Sequence, residues 1–476
     1  MNTTIKRFFY FTLGPVAGAL VSFITIPLTT YFVSPEEYGK ASMFILVQTL
    51  LTAYLYLGFD QAYTREYHEQ SDKRYLIQNA MFVPLLIAMG LSSVCLLFRA
   101  SIADFLFYDS KAVVPVILLC VSMFTLVFER FFLLSIRMKE QAARYSLLTF
   151  IIKLFILIVT LVCILLGKRD FSVIIYGTLI GQILGDLFII AFCARFLNFK
   201  HFSLDRKLIK KLWFFGFPIS IAFSIDTIFN TSDRFIIGIF SNYAELGLYM
   251  AAFKIAALLK IVQSSFTSFW IPMAYRWQKE QKQIIYFQLV ADGVTALFAC
   301  LFLLILLFKN VVSLVFTAAY ADMIYIFPFL CFVPILYTIS ETTTLGIVFS
   351  RKTYLNIYVS IGAVLTNVTL AVSLVPNLGA KGAALSIGTS YFIYYLLRTI
   401  LSNKQWEGIR MTKQLSTIGI LLTAGFYNTF FVDYSGVVNS LLLLIVIIIY
   451  FPLIKKLFLL KKKGGSLAIY SDQKDY

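Results

Sequence analysis

Apolar runs of about twenty residues, parted by short polar links, recur along the whole chain, and a helix crosses the hydrocarbon core of a bilayer in about that length. One of them, residues 285–308, reads IYFQLVADGVTALFACLFLLILLF and holds a single ionisable residue, Asp292. Only helices and closed barrels satisfy their backbone groups in lipid. Fourteen spans are therefore predicted, near 9–33, 41–59, 76–98, 112–134, 145–167, 171–194, 212–240, 247–270, 285–308, 324–349, 354–375, 380–400, 414–432 and 437–454. The fold class expected is an all-α integral membrane protein. Composition agrees: 60% of the 476 residues are hydrophobic and 14% charged, against about 25% charged in a soluble domain. The N-terminal run is too long for the h-region of a signal peptide, about 7–15 residues, and reads as the first span.

The net charge of +17 is explained by where it sits. Roughly four in five of the Lys and Arg outside the apolar runs fall on one set of alternate links, the pattern of the positive-inside rule. This places both termini in the cytoplasm. It also makes the basic balance a topology signal rather than a nucleic-acid patch. The tail segment KKLFLLKKK suits anionic lipid headgroups. The six cysteines lie in or beside apolar runs and read as small buried hydrophobes. With two histidines, both in polar links, neither a metal site nor a cofactor is expected.

One corner is written twice. Residues 34–39 read SPEEYG and residues 241–247 read SNYAELG, with Gly39 and Gly247 208 positions apart. Six predicted helices lie between, so the second copy has the same orientation as the first. The halves are then parallel repeats about an axis along the membrane normal. The expected organisation is a six-helix lobe over 1–200, a second over 201–403, and two further helices with a basic tail over 404–476. Two such lobes imply a transporter with a central cavity, although duplication could also build a plain bundle. Helix-interior prolines (Pro15, Pro27, Pro218) are expected to kink the first helix of each half.

Besides Lys381 and Arg398 near the ends of the span 380–400, eleven charged residues fall inside the predicted spans: Glu129, Arg130, Lys153, Asp186, Asp226, Asp233, Arg234, Lys254, Lys260, Asp292 and Glu341. On insertion scales each costs about 2.5–3.5 kcal/mol at a helix centre, so it must face a hydrated cavity or a partner. Glu129 and Arg130 lie close enough to a span end to snorkel. Asp226, Asn230 and Asp233/Arg234 share a helix face. Polar stripes run along others: Ser22, Thr25 and Thr29; Gln48, Thr52 and Tyr56, with Asp60 and Arg65 at their inner end; Lys260, Ser264 and Ser268. Such stripes line a cavity or act as interhelical glue. Cationic candidates for substrate binding are Arg234, Lys254, Lys260 and Arg65. Acidic candidates for a coupling ion are Asp226, Asp233 and Glu341. Gly177, Gly181 and Gly185 form a small-residue face for close helix packing, and Asp186 beside it is placed to pair with Lys153.

Two segments resemble a known family. GPVAGALVSFITIPLTTYFVSPEEYGKASM looks like the start of the O-antigen-type polysaccharide (Wzx) flippases, and DRFIIGIFSNYAELGLYMAAFKI looks like their second-half signature. These belong to the multidrug/oligosaccharidyl-lipid/polysaccharide exporter superfamily. The resemblance implies flipping of undecaprenyl-pyrophosphate-linked oligosaccharide from the inner to the outer leaflet by alternating access, for surface polysaccharide synthesis. It implies membrane lipids as partners, together with polymerase and chain-length proteins of the same pathway. Arg234, within DRFIIG, is the candidate carried by the motif itself. A multidrug exporter or a peptidoglycan lipid-precursor flippase of the same superfamily is the alternative. No GxxxxGK[ST] loop for ATP is present. An enzyme is not expected, because the outer links are short and lack histidine.

Overall fold

The computed structural model describes residues 17–18, 21–22, 24–193, 203–313, 316–431 and 433–462. Among these residues every regular element is helical. The helices are α1 (24–32), α2 (Pro35–Leu55), α3 (Phe59–Glu66), α4 (Lys73–Leu97), α5 (Arg99–Phe107), α6 (Val114–Met138), α7 (Ala142–Leu165), α8 (Ser172–Phe192) and α9 (Arg206–Phe240). They continue with α10 (Tyr243–Lys279), α11 (Ile284–Leu307), α12 (Lys309–Ser313), α13 (Phe327–Leu330), α14 (Phe332–Thr343), α15 (Leu345–Phe349), α16 (Leu355–Asn403), α17 (Thr412–Phe430) and α18 (Ser435–Lys462).

The chain is a multi-span membrane protein. Among the described residues, 8 helices are long and apolar enough to cross a bilayer, or up to 10 if each of two bent pairs is one span. This measure falls short of fourteen because of how it meets three of the predicted spans. Much of the first predicted span lies outside the described residues. The expected pair 354–375 and 380–400 is joined in α16, whose helical path breaks at Gly379 with φ 53°. α10 carries Lys254 and Lys260 in its middle, which lowers its apolarity.

Packing divides the chain into two compact units, Met1–Ala251 with Phe316–Tyr320, and Ala252–Val315 with Ala321–Tyr476. In the first unit, α8 packs along α7 through its glycines. A β-carbon on Gly181 would come within 2.5 Å of the Ile156 Cα, and one on Gly185 within 3.0 Å of the Ile152 Cα. The same holds for Gly177 against Thr160, so the small-residue face does what its spacing suggests: three glycines admit the backbone of the next helix. α9 is pinned at its start. Asp205 caps it through Lys207 N and Leu208 N (2.8 and 3.2 Å), while Tyr75 of α4 donates its hydroxyl to the same carboxylate at 2.8 Å. The Tyr75 hydroxyl and those amides hold the Asp205 carboxyl below its ordinary value.

The repeated corner is a helix start. In the first copy Ser34 is the N-cap, its hydroxyl accepting from Glu37 N at 3.4 Å, with Pro35 in the first turn. In the second copy Asn242 accepts from Glu245 N at 2.8 Å. Cap, third-position glutamate and fifth-position glycine thus coincide in both. The Glu37 carboxylate also accepts from Phe171 N at the head of α8 (2.9 Å).

In the second unit, α11 packs on α17 and α18, and α14 on α16. An aromatic cluster fills the centre of contact: Phe287 meets Trp270, Trp277, Phe349 and Trp406 edge to face at 5.2–6.2 Å. Five of the six cysteines are buried and Cys300 is half-buried.

Candidate functional site

In the first unit, α2 ends at a bend of 45° into α3. Leu57 and Gly58 take left-handed backbone there, φ 40° and 74°. The bend is locked from outside: a β-carbon on Gly58 would lie 2.1 Å from the Gly216 carbonyl oxygen, and one on Gly216 would lie 2.6 Å from that of Gly58. Two facing glycines let the bend touch α9 backbone to backbone.

The bend swings Asp60 inward. Its side chain is 8% exposed and pairs with Arg130 of α6 through the guanidinium Nε at 3.1 Å and Nη2 at 2.6 Å. Gln61 adds an amide donor at 3.0 Å. Arg130 also lies over the Tyr56 ring, 5.6 Å from its centroid, and the Tyr56 hydroxyl donates to Leu126 O at 3.2 Å. The pair lines a cavity of about 450 Å³, within the range of about 300–1,000 Å³ common for ligand pockets. Gln48, Thr52 and Tyr56 form one wall, as their shared helix face predicts. Ser220 and Thr227 of α9, Gln182 of α8, and Thr49 and Gln61 add to the polar surface.

Hydroxyl orientation matters here. Thr52 donates to Gln48 O, Ser220 to Phe217 O and Thr227 to Phe223 O, at 2.7–2.8 Å. Each donor bond is spent on its own helix, so the wall presents hydroxyl lone pairs to the cavity. Ser22, Thr25 and Ser268 also donate to carbonyls four residues back in their own helices. These donor bonds are not interhelical glue. Behind the wall, Asp186 accepts from Thr125 Oγ1 at 2.6 Å and from Gln182 Nε2 at 2.7 Å. It takes those neutral donors instead of the expected Lys153, which is exposed.

Of the cationic candidates, Arg234, Lys254, Lys260 and Arg65, none lines this cavity among the described residues. Arg65 is exposed and sits over the Phe215 ring, 4.3 Å from its centroid. Arg234 is half-buried on α9. Its neighbour Asp233 is buried and accepts the Tyr249 hydroxyl. Lys254 and Lys260 are exposed on the part of α10 that belongs to the second unit. The Asp226 side chain lies outside the described residues. Glu341 is buried in the second unit, 2.8 Å from Arg398. Residue-level reading missed the Asp60–Arg130 pair. Its one available signal was a carboxylate below a polar stripe and an arginine near a span end, 70 positions apart.

A model of polysaccharide biosynthesis proteins matches residues 4–278, more than half of the chain. The chain belongs to the polysaccharide biosynthesis protein family. No curated protein matches it in sequence. Its fold is that of solved membrane transporters. The lipid II flippase MurJ in an inward closed conformation is similar at 17% identity with a TM-score of 0.68, over 95% of this chain and 99% of that one. An inward-facing multidrug resistance MATE transporter of the MOP superfamily is similar at 16% identity and a TM-score of 0.62, over 83% and 94%. An outward-facing MATE transporter is similar at 15% and 0.54, over 83% and 93%. This member of the polysaccharide biosynthesis family thus shares one architecture with flippases and multidrug transporters, and the cavity has to separate the two.

Proposed function

We propose that the chain is a flippase for polyprenyl-pyrophosphate-linked oligosaccharide, carrying its sugar head from the inner to the outer leaflet of a bacterial plasma membrane. One observation carries this reading: among the described residues, the polar groups lining the first unit's cavity are uncharged apart from one ion pair, which is charge-compensated. Asp60 and Arg130 neutralise each other, and the remaining polar lining is amide, hydroxyl and phenol. A lipophilic cation would find no net negative charge on these walls, whereas sugar hydroxyls find lone pairs to donate to. Family membership supports the pathway.

The anionic pyrophosphate calls for cations, for which Arg234, Lys254 and Lys260 are the proposed donors; lysine and arginine suit phosphate as point charge and fork respectively. Asp233 and Glu341 are the proposed seats of a coupling ion. Both termini are assigned to the cytoplasm on loop charge. The test is reconstitution in liposomes with a fluorescent polyprenyl-pyrophosphate oligosaccharide and, in parallel, a cationic dye and a fluorescent lipid-linked peptidoglycan precursor. Movement of the saccharide without dye export is expected. Dye export alone assigns the chain to the multidrug branch, and movement of a peptidoglycan precursor alone assigns it to the lipid II branch.

A further inference from the structure

The links between α3 and α4 and between α6 and α7 meet around a cavity of about 570 Å³, lined by His68, Arg137, Met138, Glu140 and Tyr145. Both links belong to the set that loop charge assigns to the cytoplasm. One wall is made by the end of a helix. α6 stops at Met138, and the chain turns through Glu140 in left-handed backbone, φ 55°. Gln141 N closes that turn on Ile136 O at 3.2 Å, a cap that favours glycine at its turning point. The glutamate there stands just past the helix end, three positions from Arg137. Across the cavity, the His68 ring rests edge to face on the buried Tyr67 ring, with centroids 5.4 Å apart. Lys73 fastens the same link by donating to Tyr67 O and Gln70 O.

The charges at this mouth select the guest. Glu66 and Glu69 pair with Lys211, and Arg144 donates to Gln141 Oε1 at 3.0 Å. Arg137 and Glu140 both line the cavity, and no ion pair joins them. The exposed Arg137 guanidinium and His68 ring have no hydrogen-bond partner among the described residues. An ionised carboxylate has about four lone-pair sites, so Glu140 can accept from a further donor. A lone anion would meet Glu140, and a lone cation would meet Arg137. A guest carrying both charges satisfies each: the guanidinium fork suits a phosphate, and the carboxylate suits an ammonium. Met138 and the Tyr145 ring supply apolar surface for the carbons beside those charges. Tyr145 lies in the first turn of α7, at the helix ends where amphipathic rings meet lipid headgroups. The volume falls within the range of about 300–1,000 Å³ usual for ligand pockets. We infer that this cavity binds a phosphoethanolamine group, as carried by a zwitterionic phospholipid of the inner leaflet. Neither Arg137 nor Glu140 lines the cavity assigned to the cargo.

The test titrates the full chain, purified in detergent micelles, with short-chain phosphatidylethanolamine, short-chain phosphatidylglycerol and soluble glycerophosphoethanolamine, and reads bound copies by native mass spectrometry. Saturable binding of the phosphatidylethanolamine is expected, tighter than that of the phosphatidylglycerol. Arg137→Gln and Glu140→Gln should each weaken it about tenfold, since each removes one charge-assisted contact. Arg144→Gln, beside the cavity but outside its lining, should leave it unchanged; melting temperature reports whether each variant folds. Glycerophosphoethanolamine binding as tightly as the lipid, with the same response to the variants, supports the site and assigns it to the free headgroup. Tighter binding of phosphatidylglycerol, strengthened further by Glu140→Gln, reveals a plain anion site and overturns the inference. Absence of phosphatidylethanolamine binding overturns it as well, as does binding unchanged in folded Arg137→Gln and Glu140→Gln.

Discussion

Gly39 and Gly247 hold equivalent places in two copies of one capping motif, and each is pressed against the first helical residue of the other copy. A β-carbon on Gly39 would lie 1.7 Å from the Tyr243 carbonyl oxygen, and one on Gly247 would lie 1.9 Å from that of Pro35. Pro35 and Tyr243 are themselves equivalent, since each follows its cap. The contact is reciprocal, residue for residue, as across a twofold axis. A corner repeated in the sequence is thus a corner that packs on its own repeat. Tyr320, from the short segment that joins the first unit, seals it by donating to Val33 O at 2.9 Å and meeting the Tyr38 ring edge to face at 6.1 Å.

Any side chain at either glycine collides with backbone, which cannot rotate away. Gly39→Ala and Gly247→Ala should each destabilise by about 1–3 kcal/mol or more, the cost typical of overpacking. Gly90→Ala, with nothing within 4 Å of the new methyl, should change little. Thermal unfolding in nanodiscs compares the three; an unshifted melting temperature for Gly39→Ala would rule out the close approach.

Arg130→Ala strips a buried carboxylate of its partner. The loss expected is about 2–3 kcal/mol, short of the full penalty for a buried pair because Arg130 is 42% exposed. Saccharide flipping should fall with it. Combining it with Asp60→Asn removes the stranded charge and should restore most of the stability without restoring flipping. Chemical denaturation and the liposome assay read the two separately, and recovery of both would make the pair purely structural.

The glycine face of α8 should tolerate no bulk. Gly181→Val places a branched side chain against the Ile156 backbone, 2.5 Å from where its β-carbon would sit, and should prevent α7 and α8 from closing. Protease protection of the folded chain in membranes is expected to drop at equal expression. Undiminished protection would place the helices further apart than described.

Arg234→Ala tests the motif-borne cation. It should lower saccharide flipping about tenfold or more while membrane levels hold, a loss of roughly 1.4 kcal/mol of binding. Normal flipping by a well-expressed variant would take Arg234 out of the substrate path.

What the sequence alone determined is everything that depends on spacing along one helix. Apolar length declares the membrane class. Positions three and four apart share a face, so the Gln48–Thr52–Tyr56 wall, the Gly177–Gly181–Gly185 face and the doubled corner could all be read before any contact was known. The tertiary structure alone decided which face meets which. Asp60 finds Arg130, and Glu341 finds Arg398, across helices whose mutual rotation depends on how side chains and glycines let them approach. The same reason explains why Asp186 is met by Thr125 and Gln182, and why the motif-borne Arg234 stands away from the first unit's cavity. In lipid, every helix is apolar on most sides. Hydrophobic pattern therefore says little about rotation, and the partners of the few charged residues emerge only when the helices are packed.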